Sequence, residues 1–234
     1  MRILSLDLHS NPNVGLYGFA TDHYCLLGRD VPGKAVKKIA EVLKVPVHIM
    51  TISNSSMIGA FVAGNSKMLL VPSITTKEEQ KELAKLGIQL KVIETKLTAL
   101  GNNLLCNDNG CLANPEFSAF VKKRIRQALD VKVVPHMLAG VEAVGACGII
   151  ANGRCLLHRD ASDEELEMVS ELLKAETQRG TVNRGSPYVK SGILCNSNGM
   201  IISAYSGGPE ASNAYEALGF LEQEREEIES NKNI

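Results

Sequence analysis

One pattern recurs five times along this chain of 234 residues: an apolar residue, an anchor glycine, a short apolar strand, a turn and a second apolar strand. The copies begin at Val14, Ile58, Leu100, Val144 and Ser191, and the first reads VGLYGFATDHYCLLGRD. The anchor glycines are Gly15, Gly59, Gly101, Gly145 and Gly192. They lie about 45 residues apart, a period typical of chains in which each repeat is one supersecondary unit. The turns keep the same register, at Thr21-Asp22, Gly64-Asn65, Asn109-Gly110, Asn152-Gly153 and Asn198-Gly199. Asn-Gly and its relatives supply the positive φ of a tight hairpin, so each unit is expected to open with one.

A helix is predicted after each hairpin. Thr76 with Glu79 and Ser162 with Glu165 read as capping boxes, and Asn114-Pro115 as an N-cap followed by a first-position proline. Apolar stripes at helical spacing run through Val36, Ile39, Ala40 and Leu43, through Leu166, Val169 and Leu173, and through Ala214, Ala217, Leu218 and Leu221. A further strand follows three of the helices, from Val45, Ile88 and Val131, with a weaker one between Ala175 and Val182. The fifth unit has none. The alternating stretch 2–8, with Leu4, Leu6 and Leu8 on one face, is the natural substitute, and pairing the two chain ends would close the ring and remove exposed sheet edges. The expectation is a single domain over 1–222, with units at 9–53, 54–97, 98–139, 140–182 and 183–222. Residues 223–234 form an acidic, helix-compatible tail that reads as a solvated terminus.

Hydrophobic residues make up 44% of the chain but aromatics only 4%, so the core is expected to be aliphatic. With 25 Lys and Arg against 26 Asp and Glu, the net charge is −1. Proteins that coat nucleic acid usually carry a positive excess, which argues against DNA and general RNA binding. No run reaches membrane-spanning length and the N-terminus lacks a signal-peptide pattern, so a cytoplasmic protein with reduced thiols is expected. The six cysteines form no CxxC, the five histidines stand singly, and neither a Walker loop nor a strand-associated GxGxxG occurs. No metal, cofactor or catalytic role is expected.

Five-unit rings of this kind, the penteins, include enzymes that attack guanidino groups with a cysteine nucleophile. The alternative reading is therefore such an enzyme, with Cys195 and His136 as the reacting pair. Against it, Cys106, Cys155 and Cys195 recur at similar repeat offsets inside apolar strands, as packing residues do. Asn102-Asn103 breaks the repeat's apolar rule beside an anchor glycine, which fits either a hydrogen-bonded turn or a binding site. The polar stretch Thr181–Ser186 fits either a linker or a docking loop presenting Arg184.

Several motifs carry a more specific likeness: Leu69-Leu70-Val71-Pro72 with Thr75-Thr76 and Glu78-Glu79, Ala99-Leu100-Gly101-Asn102, Cys106-Asn107-Asp108, Thr181–Ser186, and Tyr24-Cys25-Leu26. With these spread along the whole chain, the sequence resembles the translation initiation factor 6 family, the archaeal and eukaryotic ribosome anti-association factors. Its short ending is similar to the archaeal members. The resemblance implies an α/β pentein, a five-fold pseudosymmetric β/α-propeller, and a monomer without catalytic activity. It further implies binding to the large ribosomal subunit, on a ribosomal protein close to the sarcin–ricin loop with limited rRNA contact, so that the small subunit is blocked sterically. A role in late large-subunit maturation goes with it. On this likeness Asn102 lies on the binding face, and the rim should add Asn13, Ser56, Met57, Asn103 and Glu142, with Asn183 and Arg184 beside them.

Overall fold

A computed structural model describes residues 2–232, without the side chains of Glu227, Asn231 and Lys232; the last two residues of the expected tail lie outside the described residues. Among those described, fifteen strands form five separate three-stranded sheets. In the first unit Gly18–Ala20 pairs antiparallel with Cys25–Gly28, helix Gly33–Leu43 follows, and Val47–Met50 returns parallel to Cys25–Gly28. The next three units repeat this plan with helices Lys77–Lys85, Ala119–Leu129 and Asp163–Leu173. The fifth has its hairpin and helix Gly208–Ala217, and its third strand comes from the opposite end of the chain. Ile3–Leu6 runs parallel to Met200–Ser203, with Ile3 opposite Met200 and Leu6 opposite Ser203.

The middle strand of each sheet is buried almost throughout, as in Cys25–Gly28, Leu69–Pro72 and Met200–Ser203. These strands are covered on both faces, which is why they read as continuous apolar runs rather than as alternating ones. Core clusters span neighbouring units. Ala63 and Leu70 of the second pack with Leu104, Cys111 and Ile125 of the third.

Before each hairpin the chain makes a single helical turn: Val14–Tyr17, Ile58–Phe61, Leu100–Asn103, Val144–Cys147 and Val189–Gly192. These five hub turns pack side by side in a closed circle. Their register corrects the expected anchor of the fifth unit. Lys190, two residues before Gly192, occupies the place held by Gly15, Gly59, Gly101 and Gly145.

The opposite end of the ring carries the hairpin tips, and here the expected turn chemistry holds in only one unit. Asn152 (φ 53°) and Gly153 (φ 69°) adopt positive φ, while the other expected turn pairs do not. Side-chain oxygens hold those tips instead: Asn65 Oδ1 accepts the N–H of Lys67 and Met68, and Asn107 and Asn196 act in the same way, with the Thr21 hydroxyl in the first unit. The amides then reach across unit boundaries. Asn65 donates to Leu129 O at 2.9 Å, Asn107 to Leu173 O at 2.8 Å, Asn152 to Leu218 O at 2.9 Å and Asn196 to Leu43 O at 2.9 Å. Each acceptor is an otherwise orphaned carbonyl at the end of the next unit's helix. Four of the five junctions are thus tied by side-chain amides, two of them doubly, since Asn109 also donates to Leu173 O and Asn198 to Leu43 O.

Two other expectations change. Asn114 does not cap a helix: it is buried and its Oδ1 accepts the Glu116 N–H, while Ser118 caps helix Ala119–Leu129 through the Val121 N–H. The C-terminal helix Phe220–Lys232 begins as part of the packed structure rather than as a solvated tail. Phe220 is fully buried and stacks on Tyr215, whose hydroxyl donates to Glu224, and Gln223 bridges Asn152 and Arg2.

Removing residues 1–8 strips the Met200–Ser203 edge of its partner and opens the cluster of Leu8, Val14 and Leu27. The truncated chain is expected to lose cooperative melting in a circular-dichroism scan. An unchanged transition would contradict closure of the ring by this strand.

Candidate functional site

The alternation of strands and helices separates the functions of the two ends. Hairpin tips and helix C-termini gather at one end; hub turns and helix N-termini gather at the other. Each hub turn is entered through one residue of unusual backbone conformation: Asn13, Met57, Ala99, Ala143 and Tyr188. Outside these lie four tight turns closed by the bridges Leu8–Asn11, Ile52–Ser55, Leu138–Val141 and Val182–Ser186. Their tips are left-handed, at His9 and Ser10, Ser53 and Asn54, Ala139 and Gly140, and Asn183 to Gly185. Together they make the hub face of the ring.

Three of these turns are pinned by a glutamate from the first turn of a helix. Glu79, already the partner of Thr76 in a capping box, also accepts hydrogen bonds from the Thr51 hydroxyl (2.7 Å) and the Ser53 and Asn54 N–H (both 2.9 Å). Glu210 receives the Thr181 hydroxyl (2.7 Å) and the N–H of Arg184, Gly185 and Gly207. Glu165 receives the N–H of Ala139 and Ser162. Burial works against the charge on Glu79 and Glu210, but these donors outweigh it and hold both carboxyls below their ordinary range. The first and third units have Ala35 and Val121 where the other three have glutamate, and the equivalent stretch before the third hub turn carries no left-handed turn.

The expected site residues are distributed unevenly. Met57 is 43% exposed, and Glu142 and Arg184 are exposed as well. The Arg184 guanidinium lies over the Tyr205 ring, 5.3 Å from its centre. Asn13 and Asn183 meet across the junction of the first and fifth units, Nδ2 of Asn183 donating to Oδ1 of Asn13 at 3.3 Å. Ser56 is half-buried, its hydroxyl accepting the Asp30 N–H. Asn102 is half-buried on the hub turn of the third unit. Asn103 is corrected. Only 7% exposed, it donates to Ala99 O and accepts from Asn114 Nδ2 at 2.7 Å, so its amide holds the root of the hairpin and offers nothing to a partner. Tyr188, 44% exposed and edge-on to His158, was not expected. The apolar pattern Val14, Ile58, Leu100, Val144 and Val189 aligns it with Met57 and would have revealed it.

At the opposite end the hairpin strands enclose a central cavity of about 380 Å³, with Cys106, Lys190 and Cys195 among its lining residues. The expected cysteine–histidine pair does not assemble. Cys195 lines the cavity with its thiol pushed up to about 12, chiefly by burial, and directed to Ile150 O. His136 is exposed at the end of the outer strand Lys132–Pro135, outside the lining, with its ring against Met137 O. Among the described residues no group of three or more His, Cys, Asp or Glu could hold a metal ion, and no helix is long and apolar enough to cross a membrane.

Because the Glu79 carboxyl is lowered in the folded state, its stabilisation is complete above the unfolded value, roughly 4.3, and is lost as pH falls through the folded value. Glu79→Gln is expected to melt several degrees below the parent at neutral pH, with the gap narrowing below about pH 4. Melting curves across that range check this; a gap independent of pH would contradict it.

The eIF-6 family model matches residues 3–217. The chain is 40% identical over 227 residues to translation initiation factor 6 of Pyrococcus abyssi, covering 94% of this chain and all of that one. Its counterpart from Methanococcus maripaludis is 36% identical over 217 residues, covering 89% and 95%. Among solved structures, the N-terminal domain of ArgZ, described as an arginine dihydrolase, aligns in its product-bound form with a TM-score of 0.51 at 12% identity, over 81% of this chain and 71% of that one. A covalent intermediate of the same domain aligns at 0.53, also at 12% identity, over 81% and 72%. Those likenesses carry the fold alone, and the five-unit ring is a pentein. The match along nearly the whole sequence goes further: the chain belongs to the eIF-6 family of translation factors.

Proposed function

We propose that this protein binds the large ribosomal subunit through its hub face and holds the small subunit away by bulk alone. It acts as a cytoplasmic monomer without cofactor, DNA or membrane contact, and serves both late large-subunit maturation and prevention of premature joining. Membership of a translation-factor family supports the ribosomal partner. The observation that carries the choice of face is its composition. Met57, Tyr188 and Tyr205 are exposed apolar or aromatic groups among the amides of Asn13 and Asn102 and the charges of Arg184 and Glu142. Aromatic, methionine and arginine side chains within a polar rim are the usual anchors of protein–protein docking. The near-neutral net charge favours a ribosomal protein over phosphate as the main contact. A standard footprint of about 800 Å² per partner would take up much of this end of the ring.

Asn102 is the most informative position. It stands beside the contact of Gly101 with Gly59, yet among the described residues its side chain makes no hydrogen bond within the fold. Asn102→Arg is expected to weaken co-sedimentation with purified large subunits by about tenfold or more, with melting nearly unchanged. Unaltered affinity would remove Asn102 from the interface. Failure of the parent protein to co-sediment at all would refute the function.

A further inference from the structure

Cys106 and Cys111 are direct partners in the third hairpin, Leu104–Cys106 against Gly110–Ala113. The Asn107 N–H donates to Gly110 O at the turn and the Asn114 N–H to Asn103 O at the root, which places the cysteines at a non-hydrogen-bonded pair. Such a pair brings Cα atoms to about 4.5 Å, within the roughly 4.4–6.8 Å spanned by disulfides. Both are free thiols. They differ in setting: Cys111 is fully buried in the core, while Cys106 is half-buried and lines the central cavity.

The exception in the hub supplies the third component. Lys190, standing where four units have glycine, lines the cavity and donates through Nζ to Gly101 O across the ring. Burial pulls its ammonium down to about 8, and its charge acts on Cys106. The neighbouring Cys111 thiol, with the help of the Lys190 charge, lowers Cys106 despite burial, whereas Cys111 is itself raised. In the resting fold the Cys106 thiol is directed to Gly64 O at 3.3 Å and the Cys111 thiol to Leu112 O at 3.6 Å. One sulfur is equipped to be the nucleophile and its neighbour to hold the proton.

We propose that Cys106 and Cys111 form a peroxide-sensitive dithiol, reached through the central cavity, that closes to a disulfide with Lys190 promoting the first step. The Cys106 thiolate attacks one oxygen of a hydroperoxide; the S–O bond forms as the O–O bond breaks, and the departing oxygen takes a proton. Cys111 then attacks the sulfenic acid, the S–S bond forms, and hydroxide leaves as water with the Cys111 proton. With hydrogen peroxide, two thiols lose two electrons and two waters result. The disulfide closes the hairpin that grows from the hub turn carrying Asn102.

Cys195 is an internal control, since it lines the same cavity but its strand partner is Met200. The folded protein is treated with hydrogen peroxide, its remaining thiols are alkylated, and its peptides are read by mass spectrometry. Cys106 is expected to be consumed about tenfold faster than Cys195 and to appear linked to Cys111, reversibly with dithiothreitol. Cys111→Ser should instead leave a sulfenic acid on Cys106 that dimedone traps, and Lys190→Met should slow its formation several-fold, in variants shown by melting to be folded. Equal oxidation of Cys106 and Cys195, or loss of Cys106 without linkage to Cys111, would overturn the proposal.

Discussion

Backbone-to-backbone packing at the hub is the contact on which the ring depends. A Cβ added to Gly59 would fall less than 3.0 Å from Gly15 O, one on Gly101 equally near Gly59 O, and one on Gly145 equally near Gly101 O; Gly15 stands in the same relation to Lys190 O. At such approach any side chain must force the turns apart, so glycine is required by space rather than by φ. The circle of turns sets how closely five sheets can gather, and the size of the cavity they enclose follows from it. Lys190 is the one tenant with a side chain, and its amine bonds across the ring to Gly101.

From that circle outward most junctions are secured by polar groups, amides at one end of the ring and carboxylates at the other. At the tips, amides of Asn65, Asn107, Asn152 and Asn196 satisfy the last carbonyls of neighbouring helices. At the hub face, Glu79, Glu165 and Glu210 join helix N-termini to the left-handed turns that link successive units. A carboxylate suits that place twice over, since it accepts several N–H groups and sits at the positive end of a helix. The hub face is thus held rigid by internal bonds while Met57, Tyr188 and Arg184 remain outward. Preorganisation of this kind lowers the ordering cost of docking on a large partner.

Much of the architecture was legible in the sequence, because it rests on periodicity. The five hairpins, the helices, the borrowed N-terminal strand and two capping boxes all follow from apolar spacing and turn residues. What was not legible depended on contacts between units. Nothing local marks Asn107 and Asn109 as ties to the next helix, and Asn109-Gly110 looks like the turn itself. Asn103 resembled a surface amide because its buried partner, Asn114, looked like a helix cap. The glycine nearest in sequence drew the fifth anchor to Gly192, whereas the apolar residue that opens each hub turn points to Val189 and so to Lys190. Exposure of Tyr188 followed from the same shift.

The hub face and the hairpin tips lie at opposite ends of one rigid ring, so binding by either end leaves a distinct footprint. Amide hydrogen exchange, read by mass spectrometry with and without purified large ribosomal subunits, separates them. Docking by the hub face requires protection in peptides covering 52–58, 99–103 and 183–189, with exchange at the tips 65–68, 107–110 and 196–199 unchanged. Protection confined to the tips, or none at either end, would contradict it.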